Sequence, residues 1–215
     1  MDIRQLHRDL IELHGRPNKT YSEDGVRQLL TTILSQNVAD VQTARASKEL
    51  FAAYPDYRAM ERADHDELAD VISEVGLMNQ KATRIQRSLA AIREETGGEY
   101  TLAFLDTMDT EDAQAWLTDI KGVGSKTANV VLNFHFEKPT FAVDTHIERL
   151  ATRFGLIEES TTADHAHEVL NEIVPDDIKY SLHVLLITHG KEYCSAQNPD
   201  CDNPVCASYC ECPSC

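Results

Sequence analysis

The chain has 215 residues, 42% apolar and 26% charged, with 36 acidic against 20 basic side chains and a formal net charge of -16. That balance supplies one good core or two small lobes and excludes a disordered chain. No run approaches the roughly 18 consecutive apolar residues of a membrane span, and the N-terminal MDIRQLHRDLIELHG sets charges among Leu and Ile at helical spacing, unlike a signal peptide, so a cytoplasmic protein is expected.

After Tyr-Ser-Glu-Asp, with Ser22 as the expected cap, Val26, Leu29, Leu30, Ile33 and Leu34 recur at helical spacing and predict an amphipathic helix. Asp40 is the expected cap of a second helix carrying Val41, Ala44, Leu50 and Phe51 and ending near Tyr54-Pro55. Leu68, Val71, Ile72 and Val75 mark a third before Gly76, and Ala82, Ile85, Leu89 and Ile92 a fourth that stops at Gly97-Gly98. Helices are also expected over 110–120, 125–136, 144–154, 163–174 and 180–191. No stretch alternates as a strand does, and no internal repeat or low-complexity linker is present, so the fold class is all-α.

The connection between the helices at 110–120 and 125–136 reads Lys121-Gly122-Val123-Gly124. So short a reversal needs glycine where φ is positive or backbones crowd, and Val123 is expected to point inward and pin the turn. The backbone N–H groups of the turn and of the following helix start then lack intrahelical partners and suit a phosphate, which positions a nucleic acid without reading its bases. The acid excess alone argues against such a partner. Acidic side chains scattered over exposed helix faces are also a solvation device, effective at about 1 M salt, where repulsion is screened within roughly 3 Å. What decides binding is the local face, to which Lys81, Arg84, Arg87, Lys121, Arg149, Arg153 and Lys191 are candidate contributors.

LTDIKGVGSKTANVVL, then FAVDTHIERLATRFGL with Asp144 eighteen residues beyond Lys126, then a cysteine-rich tail, resemble the helix-hairpin-helix DNA glycosylase superfamily, and most closely its endonuclease III branch. ILSQNVAD at 33–40, GLMNQKA at 76–82 and ITHGKEYC at 187–194 stand in the order that family shows. The resemblance implies a helical barrel over 19–136 carrying the hairpin, and a second helical domain from 1–18 plus 137–215, with DNA in the cleft between them. It implies Lys126 as the nucleophile that attacks the sugar carbon of a damaged nucleoside and forms a Schiff base, a role that requires a neutral amine. It implies Asp144 as the carboxylate that steadies the cationic sugar and assists proton transfer. Each residue also has an ordinary reading, Lys126 as an exposed helix lysine and Asp144 as the N-cap of THIERLATRF. Asn37 and Leu77 match the side chains that fill the gap left by an extruded base, with a helix-terminal amide and a core leucine as the plain alternatives. The resemblance also implies that Lys121, Gly122, Val123, Gly124 and Ser125 make up a DNA-binding hairpin, and gives His146 a supporting place.

All six cysteines lie between 194 and 215, unlike a disulfide-stapled secreted domain. By resemblance, Cys194-x6-Cys201 opens a loop holding a [4Fe-4S] cluster through four thiolates. The later spacing departs from the family's two and five residues: this tail has Cys201-x4-Cys206-x5-Cys212, with Cys210 and Cys215 over. Cys194, Cys201, Cys206 and Cys212 are the expected ligands over 194–212, Cys210 is the alternative fourth, and zinc is the competing metal. The function implied is base-excision repair: a bifunctional glycosylase and abasic-site lyase that removes damaged, in particular oxidised, pyrimidines from double-stranded DNA and nicks the abasic strand. A mismatch-directed thymine or uracil glycosylase and a non-catalytic DNA-binding module are the alternatives. A nucleoid-associated monomer without membrane contact is expected.

Overall fold

A computed structural model describes residues 1–19 and 22–210. In chain order its helices are α1 (Ile3–His14), α2 (Gly25–Ser35), α3 (Asp40–Ala53), α4 (Tyr57–Arg62), α5 (His65–Val71) and α6 (Met78–Glu95). They continue as α7 (Thr110–Asp119), α8 (Ser125–Phe134), α9 (Thr145–Arg153), α10 (Ala163–Ile173), α11 (Lys179–Glu192) and α12 (Pro204–Tyr209). Among the described residues every regular element is helical, and no helix is long and apolar enough to cross a membrane.

The chain forms two compact units, Tyr21–Glu137 and Met1–Thr20 with Lys138–Cys215. In the central unit, α2 buries Leu29, Leu30, Ile33 and Leu34 completely and packs against α6 and α8, whose Ile85, Leu89, Ile92, Val131 and Leu132 complete the core. Each such burial contributes about 1.5–3 kcal/mol, and the i, i+3, i+4 spacing puts these side chains on one face of α2. Asp24, not Ser22, caps α2: its Oδ1 accepts from the N–H groups of Val26 and Arg27, while Ser22 Oγ donates to the Asp24 carbonyl. The Tyr57 hydroxyl donates to the other Asp24 oxygen. Asp40 opens α3 from inside its first turn, with Ala39 in the cap position. The single helix expected around Leu68–Val75 is instead α5 followed by a 3-10 turn at Ser73–Val75.

In the terminal unit, α11 packs against both α1 and α9, and Leu6, Leu10, Ile147, Leu150, Phe154, Leu182 and Leu186 form the core. The approach of α11 to α9 is close at Gly190, where a Cβ would lie 2.7 Å from Leu150 Cδ1 and 3.1 Å from His146 Cβ. Glycine is what allows these two helices to meet there.

Candidate active site

The hairpin lies wholly within the central unit. α7 ends at the buried Ile120, the Val123 N–H returns to the Ile120 carbonyl at 2.9 Å, and Val123 is itself buried. Gly122 has φ +106°, a conformation closed to other residues, and a Cβ there would come within 2.5 Å of Arg84 Cγ. Gly124 precedes α8 in extended geometry with no side-chain cap. The first N–H groups of α8 are thus left for an anion, at the end of the helix that carries partial positive charge. Ser125 is half-buried, while Lys121 and Lys126 are exposed, so Lys126 stands in the first turn of this uncapped helix.

Asn37 and Leu77 share an uncommon backbone state: both are non-glycine residues in the left-handed region, at φ 57° and φ 48°. Leu77 is also 55% exposed, which rules out a core leucine. Such conformations cost about 1–3 kcal/mol each and persist only where the surroundings hold them. Two cations on α6 provide that hold. Lys81 is fully buried, and its Nζ donates to the carbonyls of Leu34 at 2.7 Å and Val75 at 3.0 Å, just ahead of Asn37 and Leu77. Burial, reinforced by neighbouring Arg84, pushes its pKa down to about 8. The Arg84 guanidinium donates to Gln36 Oε1. Both side chains, candidate contributors to a positive face in the sequence, instead donate to acceptors within the unit. Arg87 and Lys121, both exposed, border with Arg84 and Gly122 a cavity of about 340 Å³.

Asp144 sits in the terminal unit as the N-cap of α9, its Oδ1 accepting from His146 N–H at 3.0 Å and Ile147 N–H at 2.8 Å. Oδ2 takes no hydrogen bond among the described residues, so one carboxylate can cap the helix and still offer an oxygen. His146 Nδ1 pairs with Arg149 NH2 at 3.1 Å. Arg149 also donates to the carbonyls of Gly190 at 2.9 Å and Cys194 at 3.0 Å, and Arg153 to Ser195 O at 2.8 Å and Cys194 Sγ at 3.0 Å. The two arginines tie the Asp144 helix to the start of the cysteine loop.

Cys194 and Cys206 are buried, and Cys210, at the end of α12, is half-buried in the same unit. Burial, with Cys194 and Cys210 close by, pushes the Cys206 thiol up to about 11. Binding a metal at Cys206 would displace that proton, while the arginine donor against Cys194 Sγ suits a thiolate there. Among the described residues no three Cys, His, Asp or Glu side chains converge on a metal position. Cys212 and Cys215 lie outside the described residues.

The sequence reading missed Gln36. Its Nε2 donates to Thr127 Oγ1 at 3.1 Å and approaches the Gly122 carbonyl at 3.5 Å, joining the Asn37 segment to the hairpin. Only its place next to Asn37 could have singled it out.

Residues 30–176 match the family described as HhH-GPD superfamily base excision DNA repair protein. The chain belongs to that family. It is 33% identical to Endonuclease III of Thermotoga maritima over 97% of its own length and 92% of the relative's. It is 32% identical to Endonuclease III of Escherichia coli K12 over 85% of its own length and 82% of that protein's. Its fold is similar, with TM-score 0.83 and 27% identity over 97% of this chain and 94% of the other, to an Endonuclease III captured as a trapped covalent intermediate with DNA. A thermostable thymine-DNA glycosylase shares the fold at TM-score 0.79 and 20% identity, over 97% of this chain and 94% of the other.

Proposed function

We propose that this chain is a bifunctional DNA glycosylase and abasic-site lyase of base excision repair, acting on oxidised pyrimidines in duplex DNA, with Lys126 as nucleophile and Asp144 as the assisting carboxylate. The observation that carries the reading is Lys126, exposed in the first turn of an uncapped helix directly after the Gly122-Val123-Gly124 turn. The likeness to an Endonuclease III trapped covalently on DNA supports it.

In this reading a backbone phosphate docks on the N–H groups at the start of α8, and the rigid turn holds the lysine against the sugar. The neutral Lys126 amine attacks the anomeric carbon, the bond to the base breaks, and the base leaves with the bonding electrons. Asp144, with Oδ1 committed to the cap, uses Oδ2 to stabilise positive charge on the sugar and to pass a proton. The aminal so formed opens as the C1′–O4′ bond breaks and the ring oxygen takes up a proton, which gives the Schiff base; this acidifies C2′, and loss of a proton there expels the 3′ phosphate by β-elimination. Asn37 and Leu77 fill the gap left by the extruded base. The protein works as a monomer in the cytoplasm, at the nucleoid.

Cys194, Cys201 and Cys206 with Cys212 or Cys210 would hold a [4Fe-4S] cluster. When bound, it supplies thiolate–iron bonds that cross-link the tail. Cys210 follows Cys206 by one helical turn, and its N–H donates to the Cys206 carbonyl at 2.9 Å. Metal analysis after anaerobic purification is expected to give about four irons per chain, and zinc alone would reject the cluster.

The function is tested on duplexes carrying an oxidised pyrimidine, a thymine or uracil opposite guanine, or an abasic site, each with and without borohydride. Release of the oxidised base with a trapped protein–DNA adduct is expected. Preference for the mispair would move the substrate to the mismatch class, and binding without release or adduct would leave a DNA-binding module.

A further inference from the structure

The central unit contains a polar cluster that the reaction as written does not use. Arg84 lies on the same face of α6 as Lys81, one turn further on, and its stem crosses Gly122 so closely that a Cβ there would meet Cγ at 2.5 Å and Cδ at 2.9 Å. Its head donates to Gln36 Oε1. Gln36 uses its other end on Thr127 Oγ1 at 3.1 Å and the Gly122 carbonyl at 3.5 Å. Thr127 is buried and adjoins Lys126, and Gln36 adjoins the left-handed Asn37. One guanidinium and one amide therefore connect the segment that bears the gap filler to the turn that bears the amine.

We propose that Arg84 is a positioning residue: through Gln36 it fixes the Asn37 turn against the Lys126 hairpin, so that base extrusion and nucleophilic attack keep one register. A charged donor on an amide oxygen is among the stronger hydrogen bonds, and the planar guanidinium on a stem clamped by Gly122 has few other places to go. The strained turn at Asn37 has to be over-determined by its surroundings, and this cluster is attached at the residue before it. The competing role for Arg84 is direct: with Arg87 and Lys121 it borders the 340 Å³ cavity, where a DNA phosphate would be its partner. Its bond to Gln36 and its packing on the hairpin favour the brace.

The inference rests on the roles given above to Lys126 and Asn37, and Lys126→Gln in the same assay judges those roles separately. Arg84→Met keeps the stem over Gly122 and removes the guanidinium, while Gln36→Ala removes its acceptor. Both, and the double variant, are compared with the parent in single-turnover borohydride trapping on a damaged-base duplex and on a preformed abasic site, together with duplex affinity across a salt series. Each single change is expected to slow trapping on the damaged base about tenfold to a hundredfold, with a smaller loss on the abasic site, where no base has to be expelled. The double variant is expected to be no slower than the worse single, because both break one connection. The salt slope should stay at the parent's value. A slope lower by about one in Arg84→Met would assign Arg84 to a phosphate and overturn the brace. Multiplying effects in the double variant, or parent rates in both singles, would overturn it too. If Arg84→Met does not fold, Gln36→Ala alone decides between slowed and parent-rate trapping.

Discussion

The two units use their charged side chains differently. In the central unit the residues assigned to DNA are presented outward, Lys126 from an uncapped helix start and Asn37 and Leu77 from left-handed turns, while the cations behind them point inward to Leu34 O, Val75 O and Gln36. In the terminal unit the one carboxylate assigned to chemistry is half committed to capping α9, and Arg149 and Arg153 hold carbonyls of the cysteine loop. One unit shows the proposed nucleophile on a braced backbone; the other builds the proposed carboxylate into the brace. The comparison also explains how a chain of net charge -16 can serve DNA. Several of its cations are spent on internal carbonyls, so phosphate attraction has to come from backbone N–H groups and a few exposed residues such as Lys121 and Arg87.

The sharpest way to separate cap from chemistry in the terminal unit is Asp144→Asn. Asparagine caps as well as aspartate, so the melting temperature should hold while base release slows by about 10²- to 10³-fold. Asp144→Ala should add a stability loss of about 1 kcal/mol. Equal base release by Asp144→Asn and the parent would reduce Asp144 to a cap. Gly190→Ala attacks the same unit at its tightest contact, where the new methyl meets Leu150 and His146. It should cost about 1–3 kcal/mol in urea unfolding, and an unchanged midpoint would mean that α9 and α11 part easily.

Lys81 probes the central unit through pH. Its folded pKa of about 8 lies below the roughly 10.4 of an unfolded lysine, so between these values the unfolded chain binds more protons. Stability contributed by this residue should therefore rise with pH from about 8 to 10. The difference between parent and Lys81→Met in urea midpoint, read at both ends, should widen in the parent's favour, and a flat difference would place the amine in a wetter site. The smallest effect is on the whole chain. Added potassium chloride should raise the unfolding free energy by about 1 kcal/mol or less, as self-repulsion is screened; a steady fall toward molar salt would show that the acid excess is not self-repelling.

The longer helices were legible because four or five apolar residues repeated at one spacing, as along α2 and α6. α4 and α12, of six residues each, are too short to show a period, and the interruption between α5 and the 3-10 turn left the apolar spacing of Leu68–Val75 intact. Caps misled by one or two positions because Ser22, Asp24 and Asp40 are all good candidates and only the chain path selects among them. The hairpin could be read from its glycines, since φ +106° at Gly122 is a requirement that a sequence records. Lys81 could not, because nothing local marks the two carbonyls that draw a lysine into the core. The pairing of Arg84 with Gln36 escaped for the same reason, since it joins residues 48 positions apart.

The central claim is that a rigid hairpin carries the attacking amine. Lys126→Gln keeps the Gly122-Val123-Gly124 turn and its N–H groups, so binding to an abasic-site duplex should stay near the parent's. The borohydride adduct and strand cleavage should disappear. Mapping the trapped peptide in the parent should place the sugar remnant on Lys126, whereas an adduct that forms in Lys126→Gln at the parent's rate would assign the chemistry to another amine.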